Sequence, residues 1–245
     1  MSGLTTRGLP MLFRSLLMLA LLVLAPAVSA QSVPLPMEKP AVASEEEIAD
    51  GEEVVADEVA PVSDACRRTL EAAGVVAEVA APFNGDAQCI LEDPVALAAV
   101  GAHTGNVGLP GRPTLECRFA AVFGDWLREV VNPVAASLLG SHVDAVVTGP
   151  GHQCRSRAGG KISEHGIGNA IDITAIRLID GRSIRIEGMA DAKGPEREFL
   201  RAISASACGY FTTVLGPWSD AAHADHLHLD MAERRSAEYR ICMAR

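Results

Sequence analysis

Two short stretches of this chain, SEHGIGNAIDI (163–173) and HADHLHLD (223–230), alternate polar with aliphatic side chains. Successive side chains of a β-strand point to opposite faces. A strand through Asp172 therefore buries Ile171 and Ile173 on one side and presents the carboxylate on the other. In the second stretch His226, His228 and Asp230 share one face, and Leu227 and Leu229 share the opposite one. Four of the seven histidines of the chain fall in these two stretches. The fold must supply two half-buried strands whose polar faces carry groups that bind metals.

Neutral imidazole and carboxylate are both good zinc ligands, and two histidines with one aspartate leave a fourth position for water or substrate. That is the arrangement of a catalytic site rather than a closed structural one. A competing reading makes each group a satisfied structural side chain, with Asp172 capping a turn. The concentration of histidines and acids on two polar strand faces favours the metal site. Gly166 and Gly168 suit a chain that turns tightly between His165 and the strand carrying Asp172.

The N-terminus predicts where the chain works. Arg7 and Arg14 are followed by an apolar run from Leu16 to Leu24 and then by Val28-Ser29-Ala30, the pattern of a secretory signal peptide over residues 1–30. The run is short for a span of about 30 Å of hydrocarbon, so cleavage is expected rather than anchoring. No later segment is apolar enough to cross a bilayer. Residues 31–64 hold Glu45, Glu46, Glu47, Glu52, Glu53, Asp57 and Glu58 against the single Lys39, with several prolines and no aromatic residue. A segment of this composition cannot bury enough apolar surface to order itself and is expected to be a disordered acidic tether. Much of the net charge of −10 sits there. The remainder is near neutral without a basic stripe, which argues against a nucleic-acid partner.

Export changes how the six cysteines are read. Cys66, Cys89, Cys117, Cys154, Cys208 and Cys242 are dispersed, with no C-x-x-C pair, and in an oxidising compartment they predict disulfides rather than a zinc cage. Pairing of sequence neighbours gives Cys66–Cys89, Cys117–Cys154 and Cys208–Cys242.

Residues 65–245 suit one domain. Phe119, Val122, Phe123, Trp126, Leu127 and Val130 recur at helical spacing. Val143–Thr148 is rich in β-branched residues and stops at Gly149-Pro150, as a strand does. Strands over 170–178 and 183–187 meet across Asp180-Gly181, a hairpin signal. Pro195 opens a helix through Phe199, Leu200 and Ile203, and two further strands are expected at 211–215 and 226–230. The expected fold class is α+β, a small antiparallel sheet flanked by helices.

SEHGIGNAIDI followed by HADHLHLD, together with GHQCR (151–155), VLGP (214–217) and the terminal tyrosine and cysteine region, resembles the bacterial extensin-like C-terminal domain family over most of residues 65–245. The paired motif is also similar to the S-x-H-x(6)-D and later H-x-H of zinc D-alanyl-D-alanine carboxypeptidases and penicillin-insensitive murein endopeptidases. This resemblance implies a zinc-peptidase core with His165, Asp172 and His228 as ligands of Zn2+. It implies Asp225 as general base, with His226 and His223 near the metal, His226 being the alternative catalytic group. Arg155 matches a substrate-facing arginine, although Cys154 stands where relatives keep tyrosine. Ser163 is either a substrate contact or a turn and cap hydroxyl. The expected activity is hydrolysis of amide bonds in peptidoglycan peptides by a monomeric protein of the periplasm or cell envelope. The sequence leaves endopeptidase and carboxypeptidase open, and a catalytically silent wall-binding module is the second reading.

Overall fold

The computed structural model describes residues 62–243 except 82, 84, 92, 158, 237 and 238. The expected signal peptide and the tether up to residue 61 lie outside the described residues. The last tether positions belong to the domain. Val62 packs on the core, and the Ser63 hydroxyl accepts the Cys66 N–H as the cap of the first helix.

The chain runs α1 (Asp64–Ala72), β1 (Val75–Val79), β2 (Pro94–Ala102), β3 (Gly105–Gly108), β4 (Thr114–Glu116), α2 (Cys117–Trp126), α3 (Asn132–Leu139) and β5 (Val143–Thr148). It continues with β6 (Ala170–Leu178), β7 (Ser183–Arg185), α4 (Pro195–Ala207), β8 (Thr213–Leu215), β9 (Leu227–Asp230) and β10 (Ile241–Cys242). The Glu116 carboxylate accepts the N–H groups of Arg118 and Phe119 and so starts α2. Leu127–Val131 widens into a π turn before α3. Pro133 accounts for it, because the ring removes one helical N–H and crowds the carbonyl four residues back. The helix expected from Phe119 to Val130 is therefore the first part of a longer helical run.

The expectation of a small antiparallel sheet is corrected. The sheet has ten strands in the order β1-β2-β3-β5-β6-β9-β8-β10, with β4 beside β2 and β7 beside β6. Two of its pairings, β3 with β5 and β8 with β10, are parallel. The underread part is the N-terminal half. β2 reads PVALAAVGA, where small alanines and a register shift at Ala98 blur the pattern that Val95, Leu97 and Val100 supply by pointing into the core. The fold is mixed α/β, one large sheet with a few helices.

One face of this sheet carries the core. Ile171, Ile173, Leu227 and Leu229, all nearly inaccessible, join Phe119, Phe123 and Trp126 of α2 and Phe199, Leu200 and Ile203 of α4 in one hydrophobic cluster. The Trp126 Nε1–H donates to Ser206 Oγ at 3.2 Å, tying α2 to α4. Among the described residues no helix is long and apolar enough to cross a membrane.

All six cysteines are paired, but two of the three expected pairings are wrong. The bonds are Cys66–Cys117, Cys89–Cys154 and Cys208–Cys242. Cys66 lies on α1 and Cys117 opens α2, and these helices pack together with both cysteines buried. Cys89 ends a short turn, Ala87–Cys89, that packs beside the turn Glu164–Ile167 and so meets Cys154. Partners follow helix and loop packing, not closeness in sequence. The bonds span 51, 65 and 34 residues, and in the chain-entropy account each contributes roughly 4 kcal/mol. Peptide mapping of unreduced protein is expected to recover these three linkages with no free thiol. Recovery of a Cys66–Cys89 linkage or of several free thiols would contradict the packing of α1 against α2.

Candidate metal centre

β6 and β9 pair antiparallel with Asp172 directly opposite His228 and Ala170 opposite Asp230. Directly opposed residues project on the same face with Cβ atoms about 5 Å apart. The aliphatic residues between them are buried, so Asp172 and His228 must emerge on the other side. There the His228 Nδ1 lies 2.8 Å from Asp172 Oδ1.

His165 arrives from the short 3₁₀ turn Glu164–Ile167, which precedes β6. Gly168 closes that turn at φ +66°, and a Cβ there would lie 2.7 Å from the Glu116 backbone nitrogen, so the position requires glycine. The His165 ring is 2 % exposed. Its Nδ1–H donates to the Gly151 carbonyl at 2.8 Å, which turns Nε2 toward the centre. Nε2 is 3.3 Å from His228 Nδ1 and 3.3 Å from Asp172 Oδ2. One donor atom from each of His165, Asp172 and His228 lies within 4.8 Å of the others.

The back of the centre is as ordered as the front. His228 Nε2–H donates to Asp230 Oδ2 at 3.1 Å, and Asp230 Oδ1 accepts the Ala232 N–H at 3.0 Å. Thr213, opposite Asp230 on β8, hydrogen-bonds the same carboxylate and in turn accepts from Arg234. Asp230 is 4 % exposed. A ligand histidine normally donates its second N–H to a carboxylate or carbonyl that fixes its tautomer and orientation. His165 has Gly151 in this role and His228 has Asp230.

Electrostatics follow from this packing. Burial works against the charge of Asp172, but hydrogen bonds from His165 and His228 hold its carboxyl well below the usual range. Burial also disfavours the His228 cation, yet bonds to Asp172 and Asp230 push its pKa up to about 9. Burial opposes ionisation of Asp230 too, and the bonds from His228, Thr213 and Ala232 hold it below the usual range. In the metal-free protein the centre is thus a protonated imidazole between two carboxylates. A divalent ion would take the place of the Nδ1 proton. Two neutral imidazole nitrogens, one carboxylate oxygen and second-side partners for both rings form a donor set that fits zinc.

The other expected residues divide. His226 and His223 are brought in. The His226 Nδ1–H donates to Asp225 Oδ1 at 2.8 Å, while its Nε2 lies 3.6 Å from Asp172 Oδ1. The His223 Nδ1 lies 2.7 Å from Asp220 Oδ1, and its ring centroid is 5.8 Å from that of His228. Asp225 is exposed, and its bond from His226 holds its carboxyl below the usual range, against a smaller effect of burial. β9 begins at Leu227, so Asp225 and His226 precede the regular strand and both can face the centre. Arg155 and Ser163 face each other across a small hairpin, where the Ser163 N–H donates to the Arg155 carbonyl at 3.0 Å. Among the described residues Arg155 makes no hydrogen bond to the centre, and the Ser163 hydroxyl does not cap the turn it precedes. The alternation of HLHLD already placed Asp230 beside His228. Gly151 entered the sequence reading only as the first residue of GHQCR, with no role, and nothing in the sequence marked Thr213.

Replacing His165 or His228 with alanine is expected to abolish tight zinc binding. Zinc uptake at neutral pH should release about one proton per ion, because the ion displaces the His228 proton. Asp230→Asn is expected to weaken zinc binding by about 10- to 100-fold while the fold persists, the usual scale for loss of such a partner. Equilibrium dialysis against a chelator reads these effects, and unchanged affinity in both histidine variants would remove the metal centre.

The profile of the family described as Extensin-like protein C-terminus matches residues 64–243. No curated protein and no solved structure matches the chain. The matched stretch contains α1, the sheet and every residue of the centre described above, and it makes up well over half of the chain. The chain belongs to the extensin-like protein C-terminus family.

Proposed function

We propose that the protein is an exported zinc peptidase that hydrolyses amide bonds of peptidoglycan peptides or their cross-links. The observation that carries this reading is the convergence of His165 Nε2, His228 Nδ1 and the Asp172 carboxylate, each imidazole fixed from behind. The similarity of S-x-H-x(6)-D and H-x-H to zinc D-alanyl-D-alanine carboxypeptidases and murein endopeptidases supports the choice of reaction. Zinc, when bound, supplies Lewis acidity toward a carbonyl and lowers the pKa of water toward about 7.

The chain's own groups supply the proton handling. Asp225 and His226 form a hydrogen-bonded pair at the open side of the centre. In this reading the Asp225 carboxylate accepts a proton from the attacking water and delivers it to the leaving amine. His226 links that carboxylate to the vicinity of Asp172. His223, held by Asp220, offers a donor to the developing oxyanion. Arg155, on its exposed hairpin, serves substrate binding in this reading, as does Ser163. The three disulfides suit an oxidising compartment, which agrees with export to the periplasm or cell envelope.

Digestion of purified sacculi with zinc-loaded protein, with products resolved by mass, is expected to release peptide fragments. Binding to sacculi without any release would leave the wall-binding module. Asp225→Asn should retain zinc and lose hydrolysis by about 100-fold or more, the scale of a positioned acid–base group. Full activity of Asp225→Asn beside an inactive His226→Ala would move the base to His226.

A further inference from the structure

The turn that carries His165 is gripped from behind by a segment distant in sequence. Residues 81–91 link β1 to β2 and, among the described residues, make no backbone-to-backbone hydrogen bond with another segment. Side chains hold this segment to the turn Glu164–Ile167 and the loop before it. Cys89 is bonded to Cys154. The His152 Nε2–H points at the carbonyls of Cys89 and Gly166, 3.2 and 3.1 Å away. Phe83 meets the His152 ring edge-on, with 4.7 Å between centroids. The Cys89 sulfur also backs onto the residue after His165, because a Cβ built on Gly166 would lie 3.3 Å from it.

The flanks of the turn have other anchors. The Glu116 N–H donates to the Gly168 carbonyl at 2.9 Å, and the His152 N–H donates to the Thr114 carbonyl at 2.8 Å. β4 and its end thus hold Gly168 and the start of the loop. Asp172 and His228 depend on the β6–β9 register instead. Loss of the Cys89–Cys154 bond therefore frees the middle of the turn, where His165 sits, and leaves the other two donor groups in place.

The three disulfides differ in access. Cys66 and Cys117 are both buried, and Cys208 and Cys242 are half-buried. Cys154 is exposed, beside its buried partner Cys89. Exchange begins when a thiolate attacks an accessible disulfide sulfur, and exposed bonds are the labile ones. A dithiol can attack the Cys154 sulfur, expel Cys89 as a thiol and form a mixed disulfide. Its second thiol then displaces Cys154. The dithiol gives up two electrons and leaves as a disulfide, and its two protons end on the Cys89 and Cys154 sulfurs.

We propose that the Cys89–Cys154 bond is a redox latch on the metal centre, opened by a dithiol reductant. Opening it loosens His165 and lowers zinc affinity without unfolding the sheet. The latch rests on the metal centre and not on the peptidase reaction.

Redox mapping and zinc binding of the whole protein test it. Graded ratios of a small dithiol and its disulfide, followed by alkylation and peptide mapping, are expected to free Cys89 and Cys154 before the other four cysteines. With Cys89→Ala and Cys154→Ala combined, equilibrium dialysis without reductant should show zinc held about 10- to 100-fold more weakly, the scale for losing support behind a ligand. Hydrogen exchange should quicken at the Gln153 and Gly166 N–H groups, which close on His165 and Ser163, and stay unchanged along β6 and β9. In a His165→Ala background the same two substitutions should lower the weak residual zinc binding no further, a result that a general loss of stability would not give. Zinc held as tightly by the double variant as by the native chain overturns the latch and keeps the centre. A bond that opens no earlier than the other two does the same. Faster exchange throughout β6 and β9 makes the bond a staple of the whole fold and also overturns the latch. Zinc bound by neither protein overturns the centre and the latch together.

Discussion

The pairing of β6 with β9 is the constraint from which the rest of the centre follows. Asp172 faces His228 across it, and a slip of one residue would turn every side chain of one strand to the opposite face. Such a slip would expose Leu227 and Leu229 and push His228 into a cluster that holds Phe119, Trp126 and Ile203. The register is thus set by burial of four aliphatic side chains, and the carboxylate–imidazole contact is its by-product. The site is precise because the core behind it is apolar and closely packed.

His165 is not on either strand, and its placement needs a second set of contacts. Its turn sits against the loop after β5, which the Cys89–Cys154 bond fastens to the segment before β2. His152 adds to the clamp, with its Nε2 within 3.2 Å of the Cys89 carbonyl and 3.1 Å of the Gly166 carbonyl. The Gly151 carbonyl then orients the buried ring. A disulfide distant in sequence from the motif therefore helps to hold one of its candidate ligands, which links the compartment to the chemistry.

The two sides of the centre differ in kind. Behind His228 lie Asp230, Thr213 and Arg234, in a hydrogen-bonded series largely shielded from water. In front lie Asp225, His226 and His223 on the run-in to β9, more exposed and held by single bonds to neighbours. A rigid rear fixes donor atoms, and an accessible front leaves groups free to meet substrate and exchange protons.

The sequence by itself determined the local pieces. Alternation in NAIDI and HLHLD gave strands with their buried and polar faces, Asp180-Gly181 gave the hairpin, and Pro195 gave the start of α4, because each depends on neighbours a few residues apart. It also showed which residue types were concentrated for chemistry. What it did not contain in legible form was anything set by packing between distant segments. The alanine-rich β2 hid half of the sheet, since small side chains report burial weakly. Two disulfides followed helix and loop packing across 51 and 65 residues. The opposition of Asp172 to His228 and the carbonyl of Gly151 behind His165 exist only once strands are in register. Each is a relation between backbone positions far apart in sequence, and only the tertiary structure decides it.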